Sequence, residues 1–113
     1  MILEAASLDA VNFNGKKVFI SQPMKGKTEE QIKLERENLV NVITKAGGTV
    51  IDSIIHDFDE KVYKTIPLSY LSRSIDMLAT ADIGVFMPGW NDARGCCIEY
   101  RCCKDYDIDT VEI

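Results

Sequence analysis

The sequence predicts an α/β domain: a small doubly wound parallel sheet of about four strands, with helices on both faces. Three observations predict it. β-rich apolar runs and helical periods alternate in the order β-α-β-α-β-α-β. The runs are apolar almost throughout, as strands buried on both faces are. Right-handed crossovers then turn the chain order of the four strands into the spatial order 2-1-3-4. At 113 residues the chain is one domain, long enough for a sizeable core.

Residues 1–15 read as an N-terminal arm, either a short helix or a loose segment, closing on the turn-like Asn12-Phe13-Asn14-Gly15. The domain proper spans 16–113. Lys16 to Ser21 is the first strand, a β-rich run that stops at Gln22-Pro23. Thr28 is a good N-cap, and Gln31 completes a capping box. The helix it opens runs to Ala46, with Ile32, Leu39, Ile43 and Ala46 inward, and Gly47-Gly48 ends it. Thr49 to Asp52 is the second strand. A mixed connection over 53–66 holds the only histidine, His56, to which no special role falls. The second helix begins near Pro67, a favoured first-turn proline. Its stripe is Leu68, Leu71, Ile75, Leu78 and Ala79, the clearest helical period in the chain. Asp82 to Met87 is the third strand, 94–106 the third helix, and Ile108 to Ile113 the last strand. No internal repeat or low-complexity segment interrupts this order.

Composition narrows the function. The chain is 46% apolar and 27% charged, as soluble globular domains are. Its net charge of −5 argues against duplex nucleic acid as a partner. No apolar run approaches the ~20 residues of a membrane span, and the start lacks a basic n-region. All four cysteines lie between positions 96 and 103. Cys96 and Cys103 share a helix face but sit about 10 Å apart along it, too far for one tetrahedral zinc. They are expected as reduced, metal-free thiols, which fits a cytoplasmic location.

The stretch from Phe86 to Glu99 carries the most information. The third strand breaks at Pro88-Gly89, a polar loop holds the only tryptophan, Trp90, and a helix starts near Arg94-Gly95. At about 100° per residue, Cys102, Tyr106, Glu99, Cys103 and Cys96 fall on one arc of roughly 120°. Arg101, Lys104, Asp105 and Cys97 point elsewhere. Glu99 is thus a carboxylate within an apolar stripe. An unpaired buried charge is costly, so it needs a partner or a task.

In a doubly wound sheet, ligands sit beyond the carboxyl ends of the strands where the order reverses. Here that point brings the Ser21–Lys27 and Pro88–Arg94 loops together. Glu99, near a helix N-terminus that favours its ionised form, could attack a sugar anomeric carbon. It could equally be structural, paired with Arg94, Arg73 or a backbone amide. Arg94, Gly95 and the first helix amides suit an anion, as does Lys25-Gly26-Lys27. Trp90 either stacks on a base or closes a core edge.

Three motifs, VFISQPMKGKTEEQI at 18–32, RSIDMLATADIGVF at 73–86 and PGWNDARGCCIEY at 88–100, resemble the DUF4406 family of bacteria and phages. That family is related to the nucleoside 2-deoxyribosyltransferases. The resemblance implies a flavodoxin-like sheet and a crevice for a nucleoside or nucleotide. In those enzymes a helix glutamate four residues after a glycine is the nucleophile, a position matched by Gly95 and Glu99. The reaction cleaves the N-glycosidic bond of a 2′-deoxynucleoside or its monophosphate, passing the sugar to water or another base. The chain departs from the pattern where Phe19 replaces a tyrosine, Ser74 an aspartate and Ala93 a phosphate-contacting serine; Asp82 matches. Either Asp76, Asp92 and Ser21 substitute, or the crevice binds without turnover.

The leading expectation is an N-glycosidic cleavage or 2-deoxyribosyl transfer enzyme. Glu99 is its nucleophile and Asp92 protonates the leaving base. Ser21, Gln22, Met24, Lys25, Gly89, Trp90, Arg94 and Gly95 form the substrate site, and no metal or organic cofactor is needed. The alternative is a non-catalytic protein that binds a nucleotide or other small molecule in the same crevice. A third reading is a purely structural protein in which Glu99 is merely paired. A homodimer or higher homo-oligomer is also expected, since the last strand has an open side and Tyr70 and Met77 flank the second helix's stripe. The competing outcome is a monomer whose residues 1–15 fold back over that edge.

Overall fold

The computed structural model describes the backbone of residues 2–4 together with residues 8, 11–52 and 64–113. Nine elements follow in chain order. They are β1 (Ile2–Glu4), β2 (Lys17–Ser21), α1 (Glu29–Lys45), β3 (Thr49–Val50), α2 (Ile66–Leu78), β4 (Ile83–Phe86), a 3₁₀ turn (Trp90–Asp92), α3 (Arg94–Asp105) and β5 (Asp109–Glu112). All strand pairs are parallel, and the sheet order is β1-β5-β4-β2-β3. The four expected strands therefore lie in the expected 2-1-3-4 order. β1 adds a fifth strand on the outer side of β5, in register Ile2 with Thr110 through Glu4 with Glu112. The open edge behind the dimer expectation is thus occupied by the N-terminal arm.

The pleat divides the strand residues between two cores. Val18 and Ile20 of β2, Val85 of β4 and Val111 of β5 pack with Leu39 and Ile43 of α1 and with Val11 and Phe13. On the other face Phe19, Phe86, Leu78 of α2 and Cys103 of α3 form a second cluster. Each core takes one side of the sheet.

The helix boundaries follow from their end chemistry. Thr28 Oγ1 accepts from the Gln31 amide at 3.1 Å and Gln31 Oε1 accepts from the Thr28 amide at 2.9 Å, a complete capping box. Gly47 ends α1 in the left-handed region at φ 88°, which a side chain would disfavour.

Several expectations need correction. Ala46 is the exposed C-cap of α1 and does not face inward. The second strand is shorter than expected, Thr49–Val50 only. Along α2 only Leu78 of the stripe is buried, while Leu68 is 60% exposed and Ala79, the C-cap, is exposed. A helical period says which residues share a face, not how far along it a neighbour reaches. Ser69 is buried instead, its hydroxyl donating to the Ile66 carbonyl at 2.6 Å. Tyr106 is 78% exposed because α3 stops at Asp105, so the helical arc no longer carries it. His56 and most of the 53–66 connection lie outside the described residues.

Candidate functional site

The site is built where β2 and β4 end side by side. Ser21 is the last residue of β2, and its carbonyl accepts from the Met87 amide at 3.0 Å. Beyond Met87 the chain turns through Gly89, which sits in the left-handed region at φ 89°. A Cβ placed on Gly89 would lie 3.7 Å from the Pro23 side chain, so the two post-strand loops are in near contact. Topology thus joins segments distant in sequence, as the switch point requires.

The 3₁₀ turn is fastened to the helix behind it. Its amides close on Met87, Gly89 and Trp90 carbonyls at 3.1 Å. The Cys97 thiol reaches back to the Trp90 and Asn91 carbonyls at 3.6 and 3.3 Å. At the cap position Ala93 has no side chain to offer the first amides of α3. A Cβ built on Gly95 would meet nothing within 4 Å, so the space beside the helix start is open.

Glu99 lies just past the first turn of α3 and is only 7% exposed. Its Oε1 accepts a hydrogen bond from Ser21 Oγ at 2.7 Å. The partner is therefore a neutral hydroxyl on the neighbouring strand, while Arg94 and Arg73 are exposed. Burial pushes the Glu99 carboxyl up to about 7, against the smaller opposing effect of the Ser21 hydrogen bond. The direction is opposite to the ionised form expected from the helix N-terminus, because burial outweighs the Ser21 hydrogen bond. Burial also raises the Cys96 and Cys103 thiols; a hydrogen bond with Ser21 draws Cys96 part of the way back, and the charge of Glu99 pushes both up. All four cysteines are free thiols. Among the described residues no group of three or more His, Cys, Asp or Glu side chains is placed to hold a metal ion.

The other expected site residues divide sharply. Asp92, Gly89, Met24 and Lys25 are exposed on the two loops, and Arg94 is exposed at the first position of α3. Gln22 is buried, its amide donating to the Ile32 carbonyl at 2.9 Å, so it docks the first loop onto α1. Lys27 pairs with Glu35 of α1 at 2.9 Å. Trp90 stacks on Tyr100 with ring centroids 4.3 Å apart and meets Phe86 edge-on at 5.5 Å. One indole face thus closes the core edge. Asp82 is remote from the site: its carboxylate accepts from the Lys17 amide at 2.8 Å, at the amino ends of β2 and β4.

Two of the clefts lined by described residues border α1, away from Glu99. One of about 360 Å³ lies between α1 and the ends of β4 and β5, floored by Leu39, Met87 and Ile113. The other, about 660 Å³, follows α1 past Met24, Ile32 and Val40.

Two features escaped the sequence reading. Lys104 lies 5.0 Å from the Tyr100 ring centre and donates to Thr110 at 2.9 Å, bracing the aromatic cluster against β5. Arg36, 9% exposed on the inner face of α1, is a second buried charge. Its place between Ile32 and Leu39 at helical spacing was the available signal.

Residues 16–112 match the family described as a domain of unknown function, DUF4406. The chain belongs to the DUF4406 family. The match runs from the residue before β2 to the last residue of β5, so the DUF4406 domain contains both post-strand loops and Glu99. No curated protein and no solved structure matches this chain. Among the described residues no helix is long and apolar enough to cross a membrane.

Proposed function

We propose that this DUF4406 domain cleaves the N-glycosidic bond of a 2′-deoxynucleoside or its monophosphate, with Glu99 as nucleophile. The observation that carries the reading is a buried carboxylate at the strand switch point, held by a neutral hydroxyl and, among the described residues, by no counter-charge. Such a group stays reactive, because no cation quenches it. The likeness of Gly95 and Glu99 to the deoxyribosyltransferase nucleophile motif supports the same assignment.

In the proposed reaction a Glu99 carboxylate oxygen attacks the sugar C1′. The C1′–N bond breaks and its electron pair leaves with the base, which takes a proton from Asp92. Water then attacks C1′ and frees Glu99, returning a proton to Asp92; a second base in place of water gives transfer. Arg94, Lys25 and the uncapped first amides of α3 hold the phosphate or sugar. No metal or organic cofactor takes part.

Purified protein incubated with deoxynucleosides and their monophosphates tests this by chromatography of free base. Release absent from the Glu99→Gln variant supports the reading. Release should also rise with pH through about 7, because the nucleophile must be ionised.

A second reading is a non-catalytic binder of a nucleotide or other small molecule. It is favoured by the low, 7% exposure of Glu99 and by the apolar Phe19 packed two residues before Ser21. Calorimetric binding without base release would select it.

A further inference from the structure

We propose that Ser21 is the positioning residue of Glu99, anchoring Oε1 and leaving Oε2 as the attacking oxygen, and that it is not a substrate contact. This rests on the nucleophile reading above.

Ser21 is clamped from two sides. Its backbone pairs in register with Phe86, and its carbonyl accepts from Met87. Its side chain crosses to α3, where Oγ lies 2.7 Å from Glu99 Oε1. A serine hydroxyl carries one proton, and here it is donated to the carboxylate, with the Cys96 thiol as a second hydrogen-bond neighbour of Ser21. At 1% exposed, Ser21 is also closed to a ligand arriving from solvent. A sugar or phosphate would find Arg94 and Lys25 on the surface before it found this hydroxyl.

The two oxygens of Glu99 are unlike. Oε1 is bonded to a strand residue whose backbone does not move independently of the sheet. Oε2 is not sealed without a partner: among the described residues only Gln22 Oε1 is both fully buried and unpartnered. Fixing one oxygen restricts rotation about the last side-chain bond and sets the direction in which the other projects.

The electrostatic setting agrees. From β2 the group acting on Glu99 is the Ser21 hydroxyl, which favours the ionised form. On α3 the thiols of Cys96 and Cys103, one turn to either side, feel its charge. Among the described residues no cation of β2, β4 or α2 offsets the burial. Removing the one favourable contact should therefore shift the titration upward.

The test is a carboxyl ¹³C NMR titration of Glu99, its resonance assigned by loss in Glu99→Gln, in wild type, Ser21→Ala and Ser21→Thr. Ser21→Ala should raise the midpoint by about one pH unit, and Ser21→Thr should restore it. An unchanged midpoint in Ser21→Ala overturns the proposal, even if the threonine variant does not fold. In base-release assays the acid limb of kcat should move upward with it while KM holds. A raised KM with an unmoved limb would make Ser21 a substrate contact and also overturn it. If wild type releases no base at all, the glycosidic reading fails, and the NMR titration still decides whether Ser21 holds Glu99.

Discussion

Two buried charges stand on opposite faces of this sheet, and they are handled differently. Burial lowers the pKa of Arg36 on α1, and the carboxylate of Asp52 opposes it with a smaller upward pull. Among the described residues Glu99 of α3 meets no counter-ion, only the Ser21 hydroxyl. A buried charge facing its opposite is neutralised and serves the fold. One facing a neutral donor keeps its proton equilibrium near neutrality, at a cost to stability, and is available for chemistry. Burial alone does not separate the two residues, since they are 9% and 7% exposed. The partner does.

The sharpest way to break this contrast is Glu99→Gln. It keeps an oxygen to accept from Ser21 but removes the nucleophile, so base release should fall on the order of 10³-fold or more, measured at saturating substrate. An active variant would make Glu99 as structural as Arg36.

The next effect is on stability. The folded Glu99 carboxyl sits near 7 against an ordinary 4.5, so the folded state holds the extra proton between those values. Its contribution is therefore complete below about pH 4.5 and lost as pH rises through 7, by roughly 3 kcal/mol. Glu99→Gln stays neutral and should show no such loss, making it more stable than wild type at pH 8 and level with it at pH 4. Urea unfolding at the two pH values measures the difference, and parallel pH curves for the two proteins would refute it.

On the Arg36 side the expectation reverses. Arg36→Met should lower stability by about 1–2 kcal/mol by removing the attraction to Asp52, a Tm drop of about 5–15 °C in a domain this small. Base release per folded molecule should not change. A loss of activity in the folded variant would tie Arg36 to the site after all. The smallest effect belongs to the start of the same helix: Thr28→Ala breaks the capping box and should cost about 1 kcal/mol. Thermal melts check it, and the pH dependence of activity should be untouched.

How much of this was legible in the sequence depended on range. The capping box at Thr28, the stop at Gly47 and the Glu99 stripe are set by residues within a turn or two, and the sequence carried them. So was the sheet order, because crossover handedness leaves few choices. Partner identity was not legible. Ser21 lies 78 positions from Glu99, and nothing local distinguishes its hydroxyl from the Arg94 or Arg73 guanidinium. β1 escaped for a related reason: three residues show no period, and only the edge of β5 gives them a role. Trp90 kept two readings until Tyr100 was seen against one face of its ring.

The sheet tapers outward. Its central strands have four or five residues, while the outermost have three at β1 and two at β3. A foreign strand laid along either rim would find two or three residues to pair with and then lose its ladder. Blunt rims of this kind discourage runaway stacking of sheets into fibrils. Lengthening β3, by extending its pairing past Val50, would be the change most apt to remove that protection.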